Sequence, residues 1–261
     1  MATDSLDSET VLAADDGLPA SVRGMIQRGR ERRLRLDTAA FEDAVPLLRE
    51  AIEIAPAAAA AYAELSETYS SWGALREASC LGFWRELRVL EFQSLYDLAY
   101  AYAEMALRLD PGLPAAHRAT AAALRRGAKA DPDRRSQEAM VAVELDPENP
   151  EGLADRWRVL GYDPDDAVIR RIVETSPELT AAQLDLAAAL SERGRYAEAL
   201  TVLERALRLH PSSMLVYHDT ALLLDRKGLR ANALEVLGKG RLLRPADPLI
   251  LQGFALLGET L

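Results

Sequence analysis

Three histidines, His117, His210 and His218, and one cysteine, Cys80, are the side chains best suited to bind a metal or attack a substrate. A zinc site needs nitrogen or sulfur ligands at close, regular spacing. None of the three histidines has a Cys, Asp or Glu so placed. His210 stands just before Pro211, at an expected helix C-terminus, where a cation is favourable. Cys80 lies among Ala78, Leu81, Phe83 and Trp84 and reads as a small apolar core residue. Thiolate chemistry would need a nearby base and a resolving partner, and the sequence shows neither. Asp131-Pro132-Asp133 and Asp163-Pro164-Asp165-Asp166 lack the alternating ligands and terminal Glu of a calcium loop, so helix capping is expected of them. There is no GxSxG, HExxH, P-loop or dinucleotide-binding glycine motif. The expectation is a chain with no catalytic centre, no metal and no cofactor.

Charge points to partners. Arg23, Arg28, Arg30, Arg32, Arg33 and Arg35 crowd one segment, which offers an anion-binding patch or, as the simpler expectation, a solvated helix face paired with the acidic stretch from Asp4 to Asp16. No aromatics interleave with these arginines for base stacking. The net charge is −10, so nucleic acid is not an expected partner. Aromatic residues are uneven: nine of fifteen lie between Tyr62 and Tyr102. Tyr96 and Tyr100 share a helix face, and with Trp84 they could line a ligand pocket or fill an enlarged core.

Such residues must be held by helices. The chain is 49% hydrophobic but only 6% aromatic, with 15 glycines in 261 residues, which disfavours a many-stranded fold. Residues 180–213 and 214–247 repeat at a shift of 34: Gly194 meets Gly228, Ala199 meets Ala233, Leu203 meets Leu237, and Pro211 meets Pro245. Each glycine supplies a left-handed residue that ends a first helix, and each proline stops a second. Ala199 and Ala206 are small, so two helices can approach closely. Upstream, 41–56 and 60–78 carry weaker copies, with Gly73 expected to end a helix. Helices are expected at 21–35, 40–54, 58–71, 75–91, 94–109, 113–126, 134–145, 151–160, 165–175, 181–193, 196–209, 214–227, 230–243 and 248–260. Residues 75–110 do not fit the repeat frame, and 94–109 is expected as an extra helix.

Leu186, Ala187, Gly194, Tyr196, Ala199, Ala206 and Pro211 together resemble the tetratricopeptide repeat pattern. Leu190 stands where that family has an aromatic, and Gly240 replaces one of its alanines. The resemblance implies an all-α, right-handed α-solenoid of about six helix pairs, an extra helix near 94–109 and a C-terminal capping helix. It spans 21–260, behind an acidic flexible tail at 1–20. By family analogy Leu184, Ala188, Ser191, Leu215, His218, Leu222 and Asp225 face a concave groove. That implies a non-enzymatic scaffold or adaptor for a protein partner with apolar anchors and basic residues. A small-ligand carrier or transporter accessory using the aromatic pocket is the alternative.

The last helix leaves few polar positions, so Ile250, Phe254 and Leu257 are expected to form a docking face, with a homo-oligomer as one outcome. No uncharged apolar run approaches the roughly 18 residues of a membrane span. The first residues have no secretory pattern, and a cytoplasmic location in a bacterium is expected.

Overall fold

The computed structural model describes residues 17–79, 89–161 and 166–258. Among them are thirteen α-helices and no strand. They are α1 (Ala20–Arg33), α2 (Thr38–Ile54), α3 (Ala59–Ala78), α4 (Val89–Leu109), α5 (Pro114–Ala123), α6 (Pro132–Leu145) and α7 (Pro150–Leu160). Then come α8 (Ala167–Thr175), α9 (Thr180–Glu192), α10 (Tyr196–Leu209), α11 (Met214–Arg226), α12 (Arg230–Leu243) and α13 (Pro248–Leu256). Consecutive helices pair as antiparallel hairpins, and each hairpin leans on the next. Six pairs and a capping helix make an α-solenoid, with the odd-numbered helices stacked side by side along much of one face.

Local chemistry sets the helix ends. Gly194 and Gly228 have φ of +74° and +82°, so a residue with a Cβ would be strained there. Each continues into a closing bond: Arg195 N–H donates to Leu190 O at 2.9 Å, and Leu229 N–H donates to Leu224 O at 2.9 Å. Asp131 caps α6 by accepting from Arg134 N–H at 3.0 Å, as expected of it. Asp163 lies outside the described residues, as do Cys80 and Trp84.

The second hairpin corrects the expected frame. Helix α3 does not stop before Gly73 but runs 20 residues, and α4 runs 21. At about 1.5 Å per residue each is about 30 Å long. They pack along each other, so among the described residues 94–109 lies within the helix that packs on α3. Gly73 is needed for contact rather than for termination: a Cβ there would stand 2.8 Å from Tyr96 Cε1. Most of the helix expected at 75–91 falls outside the described residues.

At the other end, α13 packs on α11 and α12. Ile250 sits on Gly240, where a Cβ would be 2.5 Å from its Cδ1. Leu237 sits on Gly253, where a Cβ would be 2.5 Å from its Cδ2. That reciprocal contact explains why Gly240 stands in place of a repeat alanine. Gly253→Val is expected to cost about 1–3 kcal/mol by overpacking. A thermal melt checks it, and an unchanged melting temperature would contradict the contact.

The stack curls enough for its ends to meet. The α1–α2 turn reaches across the concave side: Thr180 Oγ1 donates to Leu34 O at 2.9 Å, and Arg244 pairs with Asp37, 207 positions away. Leu34, Leu36 and Phe41 join the apolar core built by α7 to α13. Among the described residues no helix is long and apolar enough to cross a membrane.

Candidate functional site: the concave face

Odd-numbered helices present their charged residues inward. Arg33 near the end of α1, Glu64 and Glu67 on α3, Arg118 on α5 and Glu151 on α7 are all buried. Arg33 is the hub. Its Nη2 lies 2.8 Å from Glu151 Oε2, its Nη1 lies 3.0 Å from Glu67 Oε2, and its Nε donates to Glu64. Arg118 Nη2 donates to Glu67 Oε1 at 2.8 Å, and Arg30 Nη2 pairs with Glu151 Oε1 at 2.7 Å. Three guanidinium groups thus meet three carboxylates. Pairing of this kind is what permits ions to be buried at all.

The electrostatics are unequal within the cluster. Burial works against the Glu151 carboxylate, but Arg118, Arg33 and Arg30 outweigh it and hold its pKa well below the usual range. Glu64 is pushed up to about 7: burial leads, and repulsion from Glu67 and Glu151 adds to it against the pull of Arg33. Burial opposes the charge of Arg33, yet Glu151, Glu64 and Glu67 together hold it well above the ordinary arginine range.

The arginine segment is therefore not one solvated face. Arg30 and Arg33 leave it for this network, because α1 lays its last turn against α3 and within reach of α7. Arg28, Arg32 and Arg35 are not buried. The sequence carries a faint signal for the network. Glu64 and Glu67 are the only charges in the first ten residues of α3 and fall three apart on one face.

The expected groove residues separate into classes. Leu184 and Leu215 are half-buried and line a concave cavity of about 260 Å³. Leu215 also borders a second cavity of about 360 Å³ beside Asp37 and Arg244. Ala188 is exposed, and Leu222 and Asp225 are half-buried. Ser191 and His218 are buried, and their Oγ and Nε2 atoms have no hydrogen-bond partner among the described residues. Of the acidic residues near the groove, Asp185 accepts from Arg158 Nε at 2.6 Å, and Asp219 accepts from His218 Nδ1 at 2.9 Å. Asp225 lies 3.6 Å from Arg230.

Tyr96 and Tyr100 share α4, but both hydroxyls are engaged. Tyr96 donates to Glu77 Oε2 at 2.8 Å, and Tyr100 accepts from Arg134 Nη1 at 3.1 Å. Tyr96 is buried against Gly73 and Gly127. On α13 and just after it, Ile250 and Leu257 are 0% and 1% exposed and point inward. Phe254 keeps partial exposure under Arg241, whose Cζ lies 5.1 Å from its ring centre. Leu242, Leu243 and Leu256 are exposed nearby, and their positions in the sequence did not single them out.

Comparison with known proteins fits this geometry. Residues 180–223 match the tetratricopeptide repeat family model. Yeast Tom70 is similar in structure, with a TM-score of 0.50 at 16% identity over 96% of this chain and 59% of that one. A tetratricopeptide repeat protein from Parabacteroides merdae aligns at a TM-score of 0.41 and 16% identity, over 92% of this chain and 93% of that one. YrrB, described as a TPR protein with an unusual peptide-binding site, aligns at 0.44 and 19% identity, over 80% and 97%. No curated protein matches in sequence. Residues 180–223 thus carry the tetratricopeptide repeat pattern, and the hairpin stack is similar in fold to that of Tom70.

Proposed function

We propose that the protein is a non-catalytic interaction scaffold that holds an extended or helical segment of a partner protein along the concave side of α9 and α11. The observation that carries this is the strip formed by Leu184, Ala188, Leu215 and Leu222, which stays at least partly open to solvent inside a curved stack of buried neighbours. Apolar anchors on the partner would fill it, and a basic residue would face Asp225. Ser191 and His218 border the strip with unused hydrogen-bonding capacity. A second contact surface, used for self-association, is proposed at α13 around Phe254 and the exposed Leu256.

Selection of random peptides on the immobilised full chain tests the first surface. Peptides enriched in apolar residues with Lys or Arg are expected. The double variant Leu184→Glu, Ala188→Glu is expected to weaken them by at least about tenfold while keeping its helical circular dichroism. Equal binding by the variant would refute the groove.

A further inference from the structure

The charges lining the 260 Å³ cavity do not balance. Its acids are Glu67, Glu151, Asp155 and Asp185, and all four are engaged. Arg33 and Arg118 take Glu67 and Glu151, while Arg158 bridges Asp155 and Asp185. Arg126, also on the wall, donates to Glu77 at 2.6 Å. Arg125 and Arg135 remain. Both line the cavity, and neither has a hydrogen-bond or ion-pair partner among the described residues.

Neither guanidinium group is sealed from solvent: Arg125 is exposed and Arg135 is half-buried. Crowding by neighbouring atoms in the cleft, then repulsion from Arg158 and Arg126, lowers Arg125 from the ordinary arginine range although the residue as a whole is exposed. Burial lowers Arg135 as well, against the attraction of Asp155. The α5–α6 turn carries Arg125 and Arg126, the start of α6 carries Arg135, and α7 carries Arg158, so three segments aim cations into one space. The other wall is apolar, formed by Leu34, Leu36, Leu75, Leu184 and Leu215. An amphipathic enclosure of this size is close to the lower end of small-molecule pockets, about 300 Å³.

We propose that this cavity binds a small organic anion, one carboxylate or phosphate group on a short apolar body, with Arg125 and Arg135 grasping the head group and the leucine wall covering the body. Arginine suits the role because its planar fork binds carboxylate or phosphate through two parallel hydrogen bonds. The cavity shares Leu184 and Leu215 with the peptide groove, but its head-group residues lie on the α5–α6 side, so the arginine variant separates the two readings.

Calorimetric titration of the full chain at low salt with hexanoate, hexyl phosphate, inorganic phosphate and hexylamine tests it. Saturable one-to-one binding of hexanoate or hexyl phosphate, without binding of hexylamine, is expected. The double variant Arg125→Gln, Arg135→Gln is expected to lose at least about tenfold in affinity. Its melting temperature should not fall, because the two groups bond to nothing among the described residues. If that variant does not fold, Leu215→Gln supplies the second readout: hexanoate should weaken and inorganic phosphate should not. Hexanoate and hexyl phosphate separate a carboxylate from a phosphate preference. No saturable anion binding, equal binding of hexylamine, or unchanged affinity in a folded Arg125→Gln, Arg135→Gln variant would overturn the proposal.

Discussion

Arg33→Met is expected to destabilise the protein by about 3–5 kcal/mol, the usual cost of stripping one partner from a buried ion cluster. Methionine fills similar volume, so the loss is electrostatic and not a cavity effect. Among the described residues, Glu64, Glu67 and Glu151 would then meet with only Arg118 and the half-buried Arg30 to offset them. Four helices contribute to the cluster, so the damage reaches the packing of α1, α3, α5 and α7 together. Surface neighbours give the control: Arg28→Met or Arg32→Met should change stability by less than about 0.5 kcal/mol. Urea unfolding of the three variants decides the matter. Equal stability of all three would show that the hub carries no weight.

The same cluster predicts a stability that falls as pH rises towards neutrality. Glu64 has a folded value of about 7 against an ordinary 4.5, so between those two values the folded chain holds a proton that the unfolded chain has released. Stability is then greatest below the lower value and drops as pH passes through the upper one. At about 1.4 kcal/mol per pH unit the loss is at most about 3 to 4 kcal/mol. Glu151 acts oppositely. Its folded value is depressed, so its contribution is complete above its ordinary 4.5 and is lost only in stronger acid. The two together place the optimum near pH 5. Glu64→Gln should flatten the decline between pH 5 and 8, whereas Glu151→Gln should cost several kcal/mol at every pH above 5. Melting curves across that range test both, and a parallel decline in Glu64→Gln would remove Glu64 as the cause.

Sequence legibility followed the range of the interactions. The hairpins at 180–247 were readable because their determinants are local: Gly194 and Gly228 act on their own turns, and Pro211 and Pro245 on their own helices. Gly73 misled because a helical glycine can either end a helix or receive a neighbouring ring, and Tyr96 is 23 positions away. Nothing in the sequence marks Arg33 as buried, because its partners lie 31 and 118 positions off. A charge pattern on one helix face does not show which face another helix will cover. The pair Arg125 and Arg135 was invisible for the same reason, since the acids that might have matched them are taken by Arg158 on a different helix. Ile250 and Leu257 turn inward instead of docking outward, because Gly240 on α12 and Gly253 on α13 itself let the two helices close on each other.

Linear repeat arrays usually unfold piecemeal, since every unit feels only its neighbours and terminal units fray first. The bridge from Asp37 to Arg244, with Thr180 tied to Leu34, breaks that rule by coupling the two extremities. Such a clasp makes loss of either extremity a loss for both, so this chain should melt in one cooperative step with no shedding of hairpins from its ends. Any guest that spreads the curve must first undo the clasp, which ties entry to the folding equilibrium of the whole molecule.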